Sequence, residues 1–415
     1  MINRLLFFIG VLSGTSLSAQ QKLSLEQCEA LFQKNNLLLL AEQYNIDIAD
    51  ANVIQAKTWD QPVLSSEFNA INPERKKIFD AGSNGQKAFA VQQLIYMGGK
   101  KKNEVEFARS NVLIAGLQFQ QLLVSLKSRL QQSFYTLYFE QQKIQNISSQ
   151  LSNIDSLTVA YGVQAEKGNV PLKDVVRLQS LSLGLKNEMQ EIQRNIYEQQ
   201  ETLKILTSSE AEFIPSLSTD LETSYAKNIS NTLDDAQNKA LQKNSEYLTS
   251  QKIIHNSDLY LKWQRSLAVP DITVGSSYDQ MGGAFRNQVN LTFGIPLSFW
   301  NRNKGNIKAA EKQYEQSKVL SDQKANELKA QVATAYNNLL YQQKQYLNIS
   351  SNTSQNLSLV YAGVLQNFQR RNISLIEFTD FMESYNQSSM LLNEMKKQLM
   401  LAAVNLNYLV NEKIF

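Results

Sequence analysis

The chain is short of almost everything that ends or cross-links a fold. Its 415 residues include 16 glycines and 6 prolines, where ordinary usage would give roughly 29 and 21. So few turn formers predict long, uninterrupted helices. One cysteine and one histidine exclude an intrachain disulfide and a zinc site of the usual Cys/His kind. His255 has no second ligand type nearby, so a surface or satisfied core histidine is expected, with no metal and no cofactor. No nucleophile–base motif surrounds that histidine and no Gly-rich phosphate loop occurs, so the chain does not read as an enzyme. Paired carboxylates along the helical stretches read as solvated faces. The net charge of +3 and pI near 8.6 are too balanced for a nucleic-acid partner. Beyond residue 20 no apolar run reaches the roughly 18 residues of a membrane helix. If the protein meets a membrane, it does so with strands.

Residues 1–19 read as a signal peptide. Arg4 supplies the positive region, Leu5 to Leu12 the apolar core, and Ser16-Leu17-Ser18-Ala19 a small-residue cleavage site. Cys28 stands in Leu25-Glu26-Gln27-Cys28, without the small residues of a lipoprotein signal, so an exported chain with no lipid anchor is expected.

The rest is organised around two junctions at which a strand runs through a basic turn into a long helix. The clearer one is FGIPLSFWNRNKGNIKAAE, Phe293 to Glu311, where Val289, Leu291, Phe293, Ile295 and Leu297 take alternate positions before Pro296. Its weaker twin, Val91 to Ala108, turns through Tyr96, Gly98, Gly99 and a lysine run. Ser24 and Gln27 have capping-box spacing, and a helix is predicted over 23–59, ended by Pro62. Strands are predicted near 63–71 and 87–96, with a polar loop between them. A heptad series then follows: Leu123, Leu126, Leu130, Leu137, Ile144, Ile147, Leu151, Ile154 and Tyr161. It has the period of a coiled-coil seam. A tip near 162–172 breaks it and a second helix returns to residue 206.

After a linker over 207–232 the pattern repeats. A helix, strands near 271–279 and 288–297, a heptad helix (Leu328, Val332, Ala335, Leu339, Tyr346, Ile349), a tip near 367–375 and a last helix fill 233–415. Pro270 stands 208 positions after Pro62, and the tip sequence Arg371-Asn372-Ile373-Ser374 lies 203 after Gly168-Asn169-Val170-Pro171. The fold class is therefore mainly α with a small β part, built from a duplicated helix–strand–strand–long helix–tip–helix unit. Four strands cannot close a membrane barrel, which needs at least eight, and an open edge cannot face lipid. Closure needs several copies; three would supply twelve strands.

With the duplicated unit, the IPLSFWNRNKGNIKAAE junction and the tips KGNVPLKDV and RRNISLIEF in place, the chain resembles the TolC family of outer-membrane efflux channels. The resemblance runs over essentially the whole length after the signal. The junction pattern looks most like the branch that partners heavy-metal and cation pumps. The resemblance implies a homotrimer with a twelve-stranded barrel in the outer membrane of a Gram-negative bacterium, continuing as a helical tunnel into the periplasm. It implies a passive duct in contact with outer-membrane lipid. Its partners would be a periplasmic adaptor (membrane fusion protein) and an inner-membrane pump, the RND type among the candidates. The alternative is a periplasmic coiled-coil scaffold or adaptor that never enters the membrane.

By the same resemblance, the adaptor would dock at Gly168, Asn169, Leu172 and Asp174 in the first tip and Arg371, Asn372, Leu375 and Glu377 in the second. Arg371 departs from the family's glycine. The family's polar closure pair is replaced by Phe368 and Ile373, which leaves Asp174, Phe368, Arg370 or apolar packing to close the mouth. Equally, Gly168 ends a helix, and Asp174 and Glu377 favour the next helix start through its dipole. The alternation in the strands makes Ile272, Val274, Val289, Leu291, Phe293 and Ile295 the lipid-facing set. Glu67, Gln92 and Gln93 interrupt the first hairpin, and would have to face the lumen or lie near the strand ends. Gly98, Gly99, Pro296, Trp300 and Gly305 form the barrel-to-helix junctions. Lys100, Lys101, Lys102, Arg302 and Lys304 there suit either a headgroup boundary or a solvated turn. Tyr96, Phe299 and Trp300 suit either an aromatic girdle or ordinary packing.

Overall fold

The computed structural model describes residues 21–217, 232–282, 284–297, 299–300, 302–349 and 353–414. The signal segment expected over 1–19, and residues 218–231 of the expected linker, lie outside the described residues.

The described chain holds two similar units. The first comprises β1 (Gln21–Leu23), α1 (Leu25–Asn35), α2 (Leu37–Lys57), β2 (Val63–Phe68), a small hairpin β3 (Ile71–Asn72) and β4 (Lys77–Ile78), β5 (Gln86–Ile95), α3 (Lys100–Glu166) and α4 (Leu172–Thr207). After β6 (Phe213–Pro215), which pairs in parallel with β1, the second comprises α5 (Leu233–Lys243), α6 (Ser245–Ser266), β7 (Ile272–Met281), β8 (Phe285–Gly294), α7 (Lys304–Asn348), α8 (Thr353–Gln369) and α9 (Leu375–Val410).

Several of these boundaries follow from local chemistry. Ser24 and Gln27 form the reciprocal capping box at the start of α1, and Thr232 with Asp235 repeats it at α5. The helix expected over 23–59 is two helices. Asn36 adopts an extended backbone, and its Oδ1 accepts from Leu39 N at 3.0 Å. Its Nδ2 donates to the carbonyl of Leu206 at 2.8 Å, one of the last turn's orphan acceptors. Asn244, 208 positions later, does the same between α5 and α6, capping Tyr247 N at 3.0 Å and donating to Leu409 O at 3.0 Å. Each buried asparagine thus starts one helix and finishes another. Replacing Asn36 by Ala should cost about 1–3 kcal/mol, since it removes a cap and leaves a buried carbonyl unpaired. The urea midpoint of the purified protein measures this, and Asn36→Asp, which keeps only the cap, should fall between. A midpoint unchanged by Asn36→Ala would mean the asparagine does not hold these ends together.

The 67 residues of α3 make a rod of about 100 Å at 1.5 Å per residue. Its seam is buried where the heptad pattern places it, at Leu126, Leu130, Leu137, Ile147 and Ile154, joined by Phe134, Tyr135 and Phe139. These side chains pack with Leu178 and Leu203 of α4 and with Met400 and Leu406 of α9 in one continuous core. The counterpart of α3 is divided. It stops at Asn348, where Ile349 turns extended, and resumes as α8.

Four of the strands form one antiparallel sheet in the order β2-β5-β7-β8. The two units therefore join at β5 and β7, whose ten residues pair from Gln86↔Met281 to Ile95↔Ile272. The sheet's outer edges are β2 and β8. The first strand ends at Phe68 instead of residue 71. The last spans Phe285–Gly294 and stops before Ile295, because Pro296 cannot donate to a ladder.

Candidate functional site

Cross-strand register assigns each strand residue to one of two faces, since directly opposed residues share a side. One face carries Leu64 and Phe68, Phe89, Val91 and Ile95, Ile272 and Val274, and Val289, Leu291 and Phe293. The other carries Ser65 and Glu67, Gln92, Ser277 and Asp279, and Asn290 and Thr292. The polar face is internally bonded: Asn290 Nδ2 and Ser277 Oγ donate to Asp279 Oδ2 at 2.7 and 2.8 Å. Gly275 on that side lies so close to Thr292 and the Val91 carbonyl that a Cβ would sit 2.7 Å from each. The apolar face is bare, with Leu291 76% exposed. A contiguous apolar surface of this kind marks a buried interface or a lipid contact.

Of the polar interruptions, Glu67 and Gln92 lie on the polar face. Gln93 lies on the apolar one, at the strand end, and its Nε2 donates to the Asp60 carbonyl at 2.9 Å. Of the expected lipid-facing residues, Ile272, Val274, Val289, Leu291 and Phe293 share the apolar face, and Ile295 lies past the strand end.

The two junctions reach the same backbone shape with different residues. Gly98 and Gly99 have φ of 67° and 75°, and a Cβ on Gly98 would stand 2.7 Å from Val269. In the second junction Asn303 takes φ 55° as N-cap of α7, and its Nδ2 donates to the Gln264 carbonyl at 2.8 Å. Gly305 is an ordinary first-turn residue with open space around it, so the conformational work falls to Asn303. Pro296 and Trp300 are exposed, and the Trp300 ring meets Phe299 at 5.8 Å. Trp59 and Tyr96 pair at 5.7 Å beside the first junction. Lys100 fits neither of the two readings offered for the basic cluster: it is buried and ion-paired to Asp271 at 2.6 Å. Lys101 pairs with Glu104 and lies over the Tyr96 ring.

The tips are matched turns. Asn169 N bonds to Gln164 O and Gly168 N to Ala165 O, a Schellman motif, and Asn372 and Arg371 repeat it with Asn367 and Phe368. Arg371, at φ 63°, holds the left-handed position that Gly168 holds at 75°. Both tip asparagines are committed to this closure through Nδ2 as well, to Gln164 Oε1 and Asn367 Oδ1. Glu377 is tied into the capping box of α9, accepting from Ser374 N and Oγ at 2.8 Å, and those bonds hold its carboxyl below the usual range. Asp174 sits in the first turn of α4.

The paired leucines differ. Leu172 is 71% exposed, whereas Leu375 is 8% exposed and belongs to the protomer's own core. Leu375 therefore presents no free surface. Phe368 is buried too. Its ring stacks on Phe378 at 4.2 Å and on Tyr161 of the first hairpin at 6.0 Å. Arg177 Nε and Nη2 bridge the same gap to Thr379 Oγ1 (2.9 Å) and Asp380 Oδ1 (3.2 Å). Arg370 is exposed.

Sequence reasoning missed one charged site. Glu140 is not on a solvated face: it is 2% exposed. Together with Lys143, Glu394 and Lys397 it forms a closed ring of alternating charge between α3 and α9. The four contacts run from 2.8 to 3.1 Å. Each helix contributes an oppositely charged pair three residues apart, which is the only trace of the ring in the sequence. His255 is exposed on α6, and among the described residues no group of His, Cys, Asp and Glu could hold a metal ion. The Cys28 thiol is buried, and burial pushes its pKa up to about 12, so it is unreactive at neutral pH.

Comparison with known proteins bears on this arrangement. Residues 206–412 match the family model of the outer membrane efflux protein. No curated protein matches the sequence. The fold is similar to that of CusC, a protein whose structures concern folding and transmembrane channel formation. Identity is 16% and TM-score 0.73, over 93% of this chain and 91% of that one. It is also similar to the CmeC outer membrane channel of Campylobacter jejuni, at 13% identity and TM-score 0.73 over 94% and 86% of the chains. The open-state MtrE outer membrane channel of Neisseria gonorrhoeae matches at 12% identity and TM-score 0.70 over 94% and 89%. At these identities the likeness is one of fold.

Proposed function

Because the chain belongs to the outer membrane efflux protein family, we propose that three copies close their four-stranded sheets into one outer-membrane barrel. The observation that carries this reading is the sheet itself. It has one bare apolar face, one hydrogen-bonded polar face, and two edges, β2 and β8, that no strand among the described residues covers. Such edges cannot face lipid, and pairing β8 of one copy with β2 of the next removes them. The polar face then lines a lumen, and the helices continue it as a periplasmic duct. The protein acts as a passive conduit: it catalyses nothing and carries substrate delivered by an inner-membrane pump through a periplasmic adaptor. Pumps of the RND type fit this scheme.

Both tips offer apolar surface to an adaptor. The first exposes Val159, Val163, Leu172 and Val176 along its two helices, and the second exposes Leu359, Val360 and Ile376, while its Leu375 and Phe368 are turned inward. Adaptor helices would therefore meet both hairpins, with Asp174 beside the first and Glu377 beside the second. The scaffold alternative leaves the apolar sheet face without a role.

Fractionation followed by mass determination in detergent tests the proposal. A trimer in the outer-membrane fraction is expected, at about three times the 47.1 kDa precursor mass less three signal peptides. A soluble periplasmic monomer or dimer would overturn it.

A further inference from the structure

At the end of the sheet remote from the helices, the stretch expected as a polar loop is a built arm. In β3 and β4, Ile71 pairs with Ile78 and Asn72 with Lys77. Asn72 Oδ1 accepts from Arg75 N at 3.2 Å, and its Nδ2 donates to Asp80 Oδ2 at 3.0 Å. Asp80 is buried, and its backbone bonds to Asn69 O and Gln86 N anchor the arm to β2 and β5. The end of β7 reaches the base of the arm, where Gln280 Nε2 donates to Gly82 O at 2.8 Å.

Two properties of the arm have no use inside the protomer. Its apolar side chains are bare: Ile71, Phe79 and, at 86% exposure, Ile78. Its crest is basic, with Arg75, Lys76 and Lys77 all exposed and Glu74 the one acid among them. The ring contacts fix the side of the sheet on which the arm lies. Phe79 takes φ 54°, uncommon for a bulky residue, and its ring stacks on Phe68 at 5.5 Å. Phe68 in turn meets Phe89 edge-on at 5.5 Å, and both belong to the apolar face. The arm thus extends that face beyond the strand ends, with the basic crest above its apolar side chains.

We propose that this arm binds phosphate-bearing lipid of the outer leaflet, with Ile71, Ile78 and Phe79 entering the acyl boundary and Arg75, Lys76 and Lys77 meeting the headgroup phosphates. The inference rests on the channel reading, which puts this end of the sheet on the cell exterior. Its chemistry is that of an interfacial anchor: apolar side chains immersed, cationic heads at phosphate level. Each basic residue near an anionic lipid surface contributes appreciably to the attraction, and three on one turn act together.

The test uses the purified full-length protein and the variant Arg75→Gln/Lys76→Gln/Lys77→Gln. Flotation with vesicles first shows that the wild type inserts. Titration with bisphosphorylated lipid A in detergent, read by native mass spectrometry, then gives the affinity. The triple variant should bind lipid A about tenfold or more weakly. Dephosphorylated lipid A should not distinguish the two, and inorganic phosphate should not compete. A fluorophore on Ile78→Cys should be quenched by lipid-borne nitroxide. Equal lipid A affinity for both proteins would overturn the proposal and leave the channel reading standing. Crosslinking of Ile78→Cys between copies in place of quenching would assign the arm to a neighbouring copy and also overturn it. A wild type that does not float removes both readings.

Discussion

Leu291→Asp should abolish trimer assembly, whereas Thr292→Asp, one residue along the same strand, should leave it largely intact. The two positions lie on opposite faces of β8: Leu291 is opposed to Ser276 on the apolar side, and Thr292 to Gly275 on the polar side. If the apolar face meets lipid, a carboxylate at Leu291 costs about 2 kcal/mol per copy, tripled in a closed trimer. At Thr292 the added charge would meet water. Because side chains alternate with a period of two, a register slip by one residue exchanges these outcomes. Trimer yield from outer-membrane extracts, compared between the variants, measures this directly. Equal yields would mean that the sheet does not separate lipid from lumen.

Glu140→Gln should destabilise the helical body by about 3 kcal/mol, out of proportion to so small a change. It leaves Lys143 and Lys397, both largely buried, with only Glu394 between them. The expected loss is at the lower end for a broken buried pair, because the Glu394 side of the ring is partly open to water. Replacing all four residues by leucine should cost far less, since no uncompensated charge remains. The ring also sets a pH dependence. Burial alone would push the Glu394 carboxyl up, but hydrogen bonds from Lys143, Lys397 and Gln398 hold it down at about 2, against an ordinary value of 4.5. A depressed carboxyl contributes stability above its unfolded value and loses it as pH falls towards the folded one. Stability should therefore decline between about pH 4.5 and pH 2, and less steeply in the four-leucine variant. Urea midpoints at pH 7, 4.5 and 3 measure both effects. A wild-type-like midpoint for Glu140→Gln would show that the four charges act independently.

The sequence pattern showed what repeats and alternates. The duplicated unit, the heptad seam of α3, the capping box at Ser24 and the alternation of Val289, Leu291 and Phe293 all have periods that read directly from residue order. What it concealed depends on partners far along the chain. Asn36 ends the polar stretch Gln33-Lys34-Asn35-Asn36 with no proline or glycine to mark a break, and its role needs the carbonyl of Leu206, 170 positions away. Glu140 resembles any solvated helix glutamate until Lys397, 257 positions on, meets it at 2.9 Å. Gly305 drew attention as the glycine at the helix start of its junction, yet the left-handed position is taken by Asn303, whose side-chain amide is held by Gln264. Leu172 and Leu375 occupy equivalent places in the two tips. Only the core that the second joins, with Phe368 and Phe378 among its members, separates an exposed leucine from a buried one.

That aromatic packing has a consequence for rates. Any opening confined to the tip ends of the two hairpins must part the Tyr161 ring from Phe368 and release Arg177 from Thr379 and Asp380. An aromatic pair contributes about 1 kcal/mol beyond its buried area, and an exposed ion pair less. Together they slow such an opening by about tenfold, and a partner that binds with only a few kcal/mol can override them. The contacts between the tips thus amount to a soft detent: they favour one position and yield to modest force.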